Sequence, residues 1–314
     1  MKIALTGATG FAGGPILREL FAVGHSVKAL VRRPQEGQFD SAVQIVKGDL
    51  DDVVALNKFT ADCDVVVHVA GAISARNDNG YFKVNFAGTR NVFEAAVASG
   101  VKRFVFVSSI TARNPELSNY AASKRAAEDY LISQHGKTEI LILRPSAIYG
   151  PNDMSTLPLL RALQKSAAFV PGRRSAKFSL VHVRDFARVV AGVTVSPQTD
   201  LLEIDDMQGG HDWQELADLN RVISGKPNRL IYLPRVIVNT AAMASEFGTF
   251  LTGQSGMVTR GKVNELYHTD WVARGAGWPR PNPIGLAEGL AETVTWYRAN
   301  GWLPPLKQAV RTAP

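Results

Sequence analysis

The chain has 314 residues, 46% hydrophobic and 20% charged, with a formal net charge of +7. That is an ordinary globular composition with enough apolar material for one major domain and a smaller one. Its Lys and Arg residues are scattered rather than clustered, which argues against nucleic acid as a partner, and no uncharged apolar run approaches the ~20 residues of a membrane span.

A basic balance still suits an anionic cofactor or substrate. The single cysteine, Cys63, allows no disulfide within the chain and suits a reducing, cytoplasmic setting. It precedes Asp64 and the apolar run Val65-Val66-Val67, so it reads as a strand-leading residue rather than a nucleophile. No signal peptide is read at the start, where Met1-Lys2-Ile3-Ala4-Leu5 runs into glycines. No Cys/His set has metal-ligand spacing.

Ile3-Ala4-Leu5-Thr6 is a short apolar run. Gly7-Ala8-Thr9-Gly10-Phe11-Ala12-Gly13 follows, then a helical pattern through Ile16, Leu17, Leu20 and Phe21 that ends at Gly24. The order is strand, glycine-rich turn, helix. Glycines at 7, 10 and 13 let the backbone turn tightly, approach a pyrophosphate and pack helix on strand. The phosphate charge then meets unpaired N–H groups at the helix N-terminus. Gly7, Thr9, Gly10, Phe11, Ala12 and Gly13 are therefore candidate cofactor contacts.

Val27 to Val31 form a second strand, followed by Arg32 and Arg33. In a dinucleotide fold the residue at this strand end meets the adenosine ribose. A carboxylate there suits a free 2′-hydroxyl, and arginine suits a 2′-phosphate. Two arginines and no acid favour NADP(H), with NAD(H) the alternative; solvated loop charge is the bland reading. Gln44 to Leu50 give a third strand with a turn, where Asp49 either bonds the adenine amine or caps the next helix, with Leu50 beside it. Val65 to Gly71 give a fourth strand, buried on both faces. Val69, Ala70 and Gly71 leave room for cofactor at its end, and His68 reads as a core residue.

Residues 81–99 read as one long helix with Phe82, Phe86, Val92, Phe93, Ala96 and Val97 as core positions and Asn85 near its start. Residues 103–108 form a fifth strand ending in Ser108-Ser109, and residues 113–119 a short polar loop. A helix then carries Tyr120 and Lys124. The four-residue spacing puts phenol and ammonium on one face, a turn apart. A free tyrosine titrates near ~10, and a cation beside it favours the phenolate, so Lys124 is expected to lower the Tyr120 pKa. Glu139 to Pro145 form a sixth strand, with Pro145 and Ser146 at its end.

Strands thus alternate with helices, which predicts an α/β, Rossmann-type, doubly wound parallel sheet with right-handed crossovers. Ligands in such sheets bind beyond the C-terminal strand ends. The glycine turn, Arg32, Asp49, Ala70-Gly71, Ser108-Ser109 and Pro145 all fall there. The expected division is a dinucleotide-binding domain over 1–165 and a smaller, mainly substrate-binding region over 166–314, with about 178–205 packing back on the first.

In the second half, Leu157, Leu159, Leu160 and Leu163 suggest a helix, and Val170 to Arg174 a turn. Arg173 and Arg174 either face an anionic substrate group or are solvated. Phe178 to Val181 read as a strand, 185–195 as a helix, and Trp213 to Ile223 as another helix stopped by Gly225 and Pro227. Residues 236–251 are apolar, with Val236-Ile237-Val238, Ala241-Ala242-Met243, Phe247 and Phe250-Leu251. A core helix or pocket lid is the favoured reading. Contact with a membrane surface or a lipid-like substrate is the lesser one.

These residues together resemble the extended branch of the short-chain dehydrogenase/reductase superfamily, the NAD(P)-dependent epimerases, dehydratases and reductases. Thr6-Gly7-x-x-Gly10-x-x-Gly13 resembles its cofactor fingerprint, and Val-Ser-Ser followed by Tyr120-x-x-x-Lys124 resembles its catalytic positions. Arg144 to Pro151 resemble the strand leading into the substrate domain, and Val181 to Ala187 its His-Val-x-Asp segment. Residues 285–297 resemble its closing helix. The resemblance implies Tyr120 as general acid/base, Lys124 as the group that tunes it and holds the nicotinamide ribose, and Ser109, with Ser108 as fallback, as the donor to the substrate oxygen. It implies Asn85 as a structural hydrogen-bonder beneath the site, and a homodimer through 81–99 and 120–134. Only ten residues separate Ser109 from Tyr120, fewer than in most extended members, so the pocket is expected to be differently walled. A ketone or alcohol oxidoreductase acting on a small molecule is expected. An NDP-sugar epimerase or dehydratase and a non-catalytic cofactor-binding protein are the alternatives.

Overall fold

The computed structural model describes residues 1–75, 77–136, 138–225, 228–252, 259–275, 278–279 and 281–305, with side chains of 244–252 excepted. Pro227, read as a helix stop, and the side chains of Phe247, Phe250 and Leu251 lie outside the described residues.

The first half alternates as the periodicity requires. β1 (Lys2–Thr6) leads to α1 (Gly13–Ala22), and β2 (Ser26–Val31) to β3 (Gln44–Lys47) and α2 (Val53–Thr60). β4 (Val65–His68) precedes α3 (Asp78–Phe82), which runs through a π-helical turn at Lys83–Ala87 into α4 (Gly88–Ala98). β5 (Arg103–Val107), α5 (Asn119–Ile132) and β6 (Glu139–Pro145) complete this half. Short polar side chains set the helix starts. Asp52 accepts from the Ala55 amide at 3.0 Å to cap α2, and Ser118 accepts from the Ala121 amide at 3.0 Å to cap α5.

The second half is broken into shorter pieces. β7 (Ala147–Tyr149), α6 (Leu157–Leu163), β8 (Ala167–Pro171), β9 (Lys177–Phe178), β10 (Leu180–His182) and α7 (Val183–Val193) come first. β11 (Leu201–Ile204), α8 (Trp213–Ser224), β12 (Arg229–Leu233), α9 (Arg235–Thr252), α10 (Arg260–Tyr267), β13 (Asp270–Trp271) and α11 (Leu286–Ala299) follow. Gly225 ends α8 in the left-handed region at φ 67°.

Seven strands pair in the order β11-β6-β5-β4-β1-β2-β3, all parallel. One apolar layer lies on each face. The first is built on Ile3, Leu5, Val67 and Leu141 against α1 and α7, and the second on Val66, Phe104 and Phe106 against α2, α4 and α5. β11 comes from the second half and extends the sheet beside β6, its Leu201 level with Ile142. A third cluster around Tyr149, Trp213, Leu290 and Tyr297 forms the core of the C-terminal part. Three short parallel pairs, β7 with β10, β8 with β12 and β9 with β13, stitch that part together.

Several expectations are corrected. The helix read over 81–99 begins at Asp78, and it widens into a π-helical turn at Lys83–Ala87, around Asn85. The reason is a tertiary hydrogen-bond set on the Asn85 side chain, which the wider turn aims inward. Val97 is exposed rather than core. Val170-Pro171, read as a turn, ends β8, whose partner β12 carries no alternation strong enough to be seen in sequence. α9 is not a core helix over its described side chains: Ala242 is buried, but Val236, Ile237 and Met243 face outward.

Candidate active site

The C-terminal ends of β1, β2, β4, β5 and β6 open on one edge, because parallel register holds Thr6 level with Leu30 and His68, and His68 level with Phe106. At β1 the backbone turns through Gly7, whose φ of +75° is left-handed; a Cβ there would lie 2.7 Å from the Ala70 amide nitrogen. Gly10 donates its amide to the Gly7 carbonyl at 2.9 Å. A Cβ at Gly13 would fall 1.9 Å from that carbonyl oxygen. Only glycine lets α1 start this close to β1. The first N–H groups of α1 have no partner within the helix, and they face the turn carrying Thr9, Phe11 and Ala12. This cradle fits a pyrophosphate.

The Thr6 hydroxyl fixes the neighbouring strand end. It accepts from the Val69 and Ala70 amides at 3.1 Å each and bonds His68 Nδ1 at 2.8 Å. His68 Nε2 meets Thr89 Oγ1 at 3.1 Å. Burial, with the charge of Lys124 adding to it, holds the His68 pKa down to about 3, so the ring is a neutral core strut.

Arg32 and Arg33 follow β2, exposed and without a hydrogen bond or ion pair among the described residues. Asp49 does not cap α2; its carboxylate accepts from the Asp51 amide at 2.9 Å in a local turn, and Asp52 is the cap. Leu50 packs on Gly88 at the start of α4, and its carbonyl accepts from Asn91 at 2.9 Å. Pro145 and Ser146 end β6, both buried, and the Ser146 hydroxyl has no hydrogen-bond partner. A buried orphan hydroxyl at this edge fits a polar ligand group.

Ser109, Tyr120 and Lys124 converge at β5 and α5. Ser109 accepts from the Thr111 amide and from Thr111 Oγ1, the latter at 2.9 Å, and hydrogen-bonds Tyr120. Tyr81 packs edge-on to the Tyr120 ring at 6.3 Å. Lys124 donates to the Val107 carbonyl at 2.8 Å and lies 5.0 Å over the Phe106 ring. A Cβ on Gly71 would press on Lys124 Nζ at 3.1 Å and on Asn85 Oδ1 at 3.2 Å. Asn85 is buried; Oδ1 accepts from the Ala72 amide at 2.7 Å, and Nδ2 donates to the Ala72 carbonyl and Ser123 Oγ at 3.0 and 2.9 Å.

The electrostatics differ from the expectation that Lys124 lowers the Tyr120 pKa. Burial pushes Tyr120 up to about 12, its hydrogen bond with Ser109 opposes the rise, and Glu265 and Tyr81 add to it. Lys124 does not act on it, since the ammonium is turned back to Val107. Burial brings Lys124 itself down to about 8, against the pull of Glu128. The phenol therefore keeps its proton at neutral pH.

Ser108 is not a stand-in for Ser109. Its hydroxyl is turned inward to Glu128, whose carboxylate also accepts from Arg144 Nε at 2.9 Å. The pairing continues through Glu203, 3.6 Å from Arg144 and 3.1 Å from Arg113. Arg113 then donates to the Val272 and Asp270 carbonyls at 2.8 and 3.0 Å. This chain ties α5, β6 and β11 to residues 270–272 through Arg113 of the Ser109–Tyr120 loop. Sequence reading missed it; the one usable signal was Glu128 at four residues from Lys124. Arg174 stacks 5.3 Å over Tyr232 and lines a groove with Asp212, Gln214 and Arg229, and Ser109, Tyr120 and Lys124 are not in its wall.

Comparison with known proteins agrees with this architecture. The family model described as NAD dependent epimerase/dehydratase family matches residues 3–201. A ceramide reductase of Caulobacter vibrioides is 39% identical over 307 residues, spanning 96% of each chain. A UDP-glucose 4-epimerase of Vibrio cholerae is 28% identical over 238 residues, 67% of this chain and 71% of the epimerase. Among solved structures, the UDP-glucose 4-epimerase of Thermotoga maritima with UDP-glucose superposes with a TM-score of 0.73 at 20% identity, covering 96% of this chain and 99% of its own.

Proposed function

The chain belongs to the NAD dependent epimerase/dehydratase family, and on that footing we propose that it is a reductase of a ketone carried on a ceramide-like lipid. The observation that carries this reading is the meeting of Ser109 and the Tyr120 phenol at the C-terminal strand edge, in a chain of this family. A carbonyl that gains hydride must gain a proton on oxygen, and a protonated phenol supplies one. The name of the relative aligned over 96% of both chains supports this substrate class.

Gly7, Thr9, Gly10, Phe11, Ala12 and Gly13 would hold the pyrophosphate, and Arg32 and Arg33 a 2′-phosphate, which makes NADP(H) the favoured cofactor. Asp49, Leu50, Val69, Ala70 and Gly71 would flank the adenosine, and Pro145 and Ser146 the nicotinamide. When bound, the nicotinamide supplies the hydride. Ser109 and Tyr120 donate hydrogen bonds to the substrate oxygen and stabilise the charge that develops there. Tyr120 then transfers its proton to that oxygen. Lys124, still largely protonated at neutral pH, would hold the ribose.

A panel of lipid ketones, simple ketones and UDP-sugars, read by absorbance of the reduced cofactor, tests this. Consumption of NADPH with a ceramide-type ketone is the expected result. Silence toward every ketone, with UDP-glucose interconverted and NAD co-purifying, would replace the reading with the epimerase one that the Vibrio relative supports.

A further inference from the structure

α10 abuts the start of the helix that carries Tyr120, and one buried carboxylate joins the two. Glu265 is only 4% exposed. One of its carboxylate oxygens accepts from the Ser118 hydroxyl, and the other accepts from Lys262 Nζ at 3.0 Å. Its backbone carbonyl accepts from Trp271 Nε1 at 2.8 Å, which ties down the end of α10. Two further contacts hold the helices together. Asn264 Nδ2 donates to the Leu117 carbonyl at 3.0 Å, and a Cβ on Gly261 would lie 2.8 Å from that of Ser118. Gly261, Asn264 and Glu265, three and four positions apart, thus turn one face of α10 to residues 117–118.

Ser118 is the N-cap of α5, and Tyr120 is the second residue of that helix. First-turn amides have no partner inside a helix, so their placement depends on the cap. The Ser118 hydroxyl has one hydrogen to give and lone pairs that receive. It gives the hydrogen to Glu265, which leaves a lone pair for the Ala121 amide at 3.0 Å. The Ser118 carbonyl takes the Ala122 amide at 2.9 Å. A carboxylate at this end also suits the positive end of the α5 dipole. Its charge reaches the site: burial is the main cause of the raised pKa of both Tyr120 and Tyr81, and Glu265 adds to each rise.

We propose that Glu265 is a positioning residue: by fixing the Ser118 hydroxyl it sets the first turn of α5, and hence where the Tyr120 phenol meets the substrate oxygen. The inference rests on the reductase reading above, in which Tyr120 gives the proton. Such transfers tolerate little error, since a misplacement of about 1 Å can cost roughly 10²-fold in rate. A residue from the C-terminal part of the chain then governs the reach of the acid while touching neither substrate nor cofactor.

The test compares Glu265→Ala, Glu265→Gln and Ser118→Ala in the full chain, assayed well below their melting temperatures. Glutamine keeps an oxygen for Ser118 and turns its NH₂ to Lys262, whose side chain is 58% exposed and can move into water. E265A should lose at least about tenfold in ketone kcat with KM for NADPH unchanged, and E265Q should restore most of it. S118A should fall at least as far, and E265A added to S118A should cost nothing more. Amide exchange over residues 118–124, read by mass spectrometry, should quicken in E265A and not in E265Q. A lower melting temperature with parent kcat in E265A would make Glu265 a mere staple and overturn the proposal. Equal losses in E265A and E265Q would overturn it too, by assigning the effect to charge. Loss of turnover in Tyr120→Phe but not in E265A would remove this inference and leave the reductase reading standing. Inertness of the parent toward every ketone would remove the reductase reading, and the exchange contrast at 118–124 would still decide whether Glu265 holds the Tyr120 turn.

Discussion

Replacing Glu128 by glutamine separates charge from shape in the layer beneath the site. The Glu128 side chain is fully buried, one turn beyond Lys124 on α5. One carboxylate oxygen takes Ser108 and Arg144 Nε, and the other takes Arg144 Nη2. Glutamine fills the same volume, so no cavity opens, but its NH₂ must point at a donor whichever way the amide is turned. Removing one partner of a buried ion pair costs about 3–5 kcal/mol. Arg144 keeps Glu203 at 3.6 Å and is itself slightly open to water, which puts the expected loss near the lower end, about 3 kcal/mol. At roughly 2 °C per kcal/mol for a chain of this length, a calorimetric or circular-dichroism melt should fall by about 6 °C.

The same change reaches Lys124. Burial holds that ammonium down to about 8 from 10.5, and Glu128 pulls it up; without the carboxylate its proton leaves at lower pH. The basic limb of kcat/KM should shift to lower pH. Because the folded pKa lies below the unfolded one, the unfolded chain binds more protons between about 8 and 10.5. The Lys124 share of stability therefore rises with pH across that window, and in the variant the rise should begin earlier. A melting point within about 1 °C of the parent, together with an unmoved basic limb, would refute the reasoning.

Tyr120→Phe removes the proton donor and should lower turnover by at least about 10² with cofactor affinity nearly intact; unchanged kcat would exclude the role. Arg32→Ala/Arg33→Ala should weaken NADPH by roughly tenfold or more, from the ~1.5–3 kcal/mol of a charged hydrogen bond, and leave NADH alone. Calorimetric titration with both cofactors reads this, and equal losses would remove the 2′-phosphate assignment. Gly13→Ala drives a Cβ to 1.9 Å from the Gly7 carbonyl oxygen. It should cost about 1–3 kcal/mol of stability and most of the dinucleotide binding, measured by melt and titration; a stable variant that still binds would argue against the cradle.

The sequence by itself determined the parallel sheet, because strand and helix periods alternate through Pro145 everywhere but between β2 and β3, and because apolar runs such as Val65-Val66-Val67 leave no polar face. It also placed Gly7, Gly10 and Gly13 at the first turn and put Tyr120 a helical turn from Lys124, since these depend on local spacing alone. The charge state of Tyr120 was not legible. It depends first on tertiary burial of the phenol and, less, on the charge of Glu265, 145 positions away in the chain. The Glu128–Arg144–Glu203–Arg113 chain joins four separate segments, and its inward turn of Ser108 follows from burial that no local pattern encodes. The direction of each α9 face was likewise set by what α10 covers. Local periodicity fixes which residues share a side; only packing decides which side meets water.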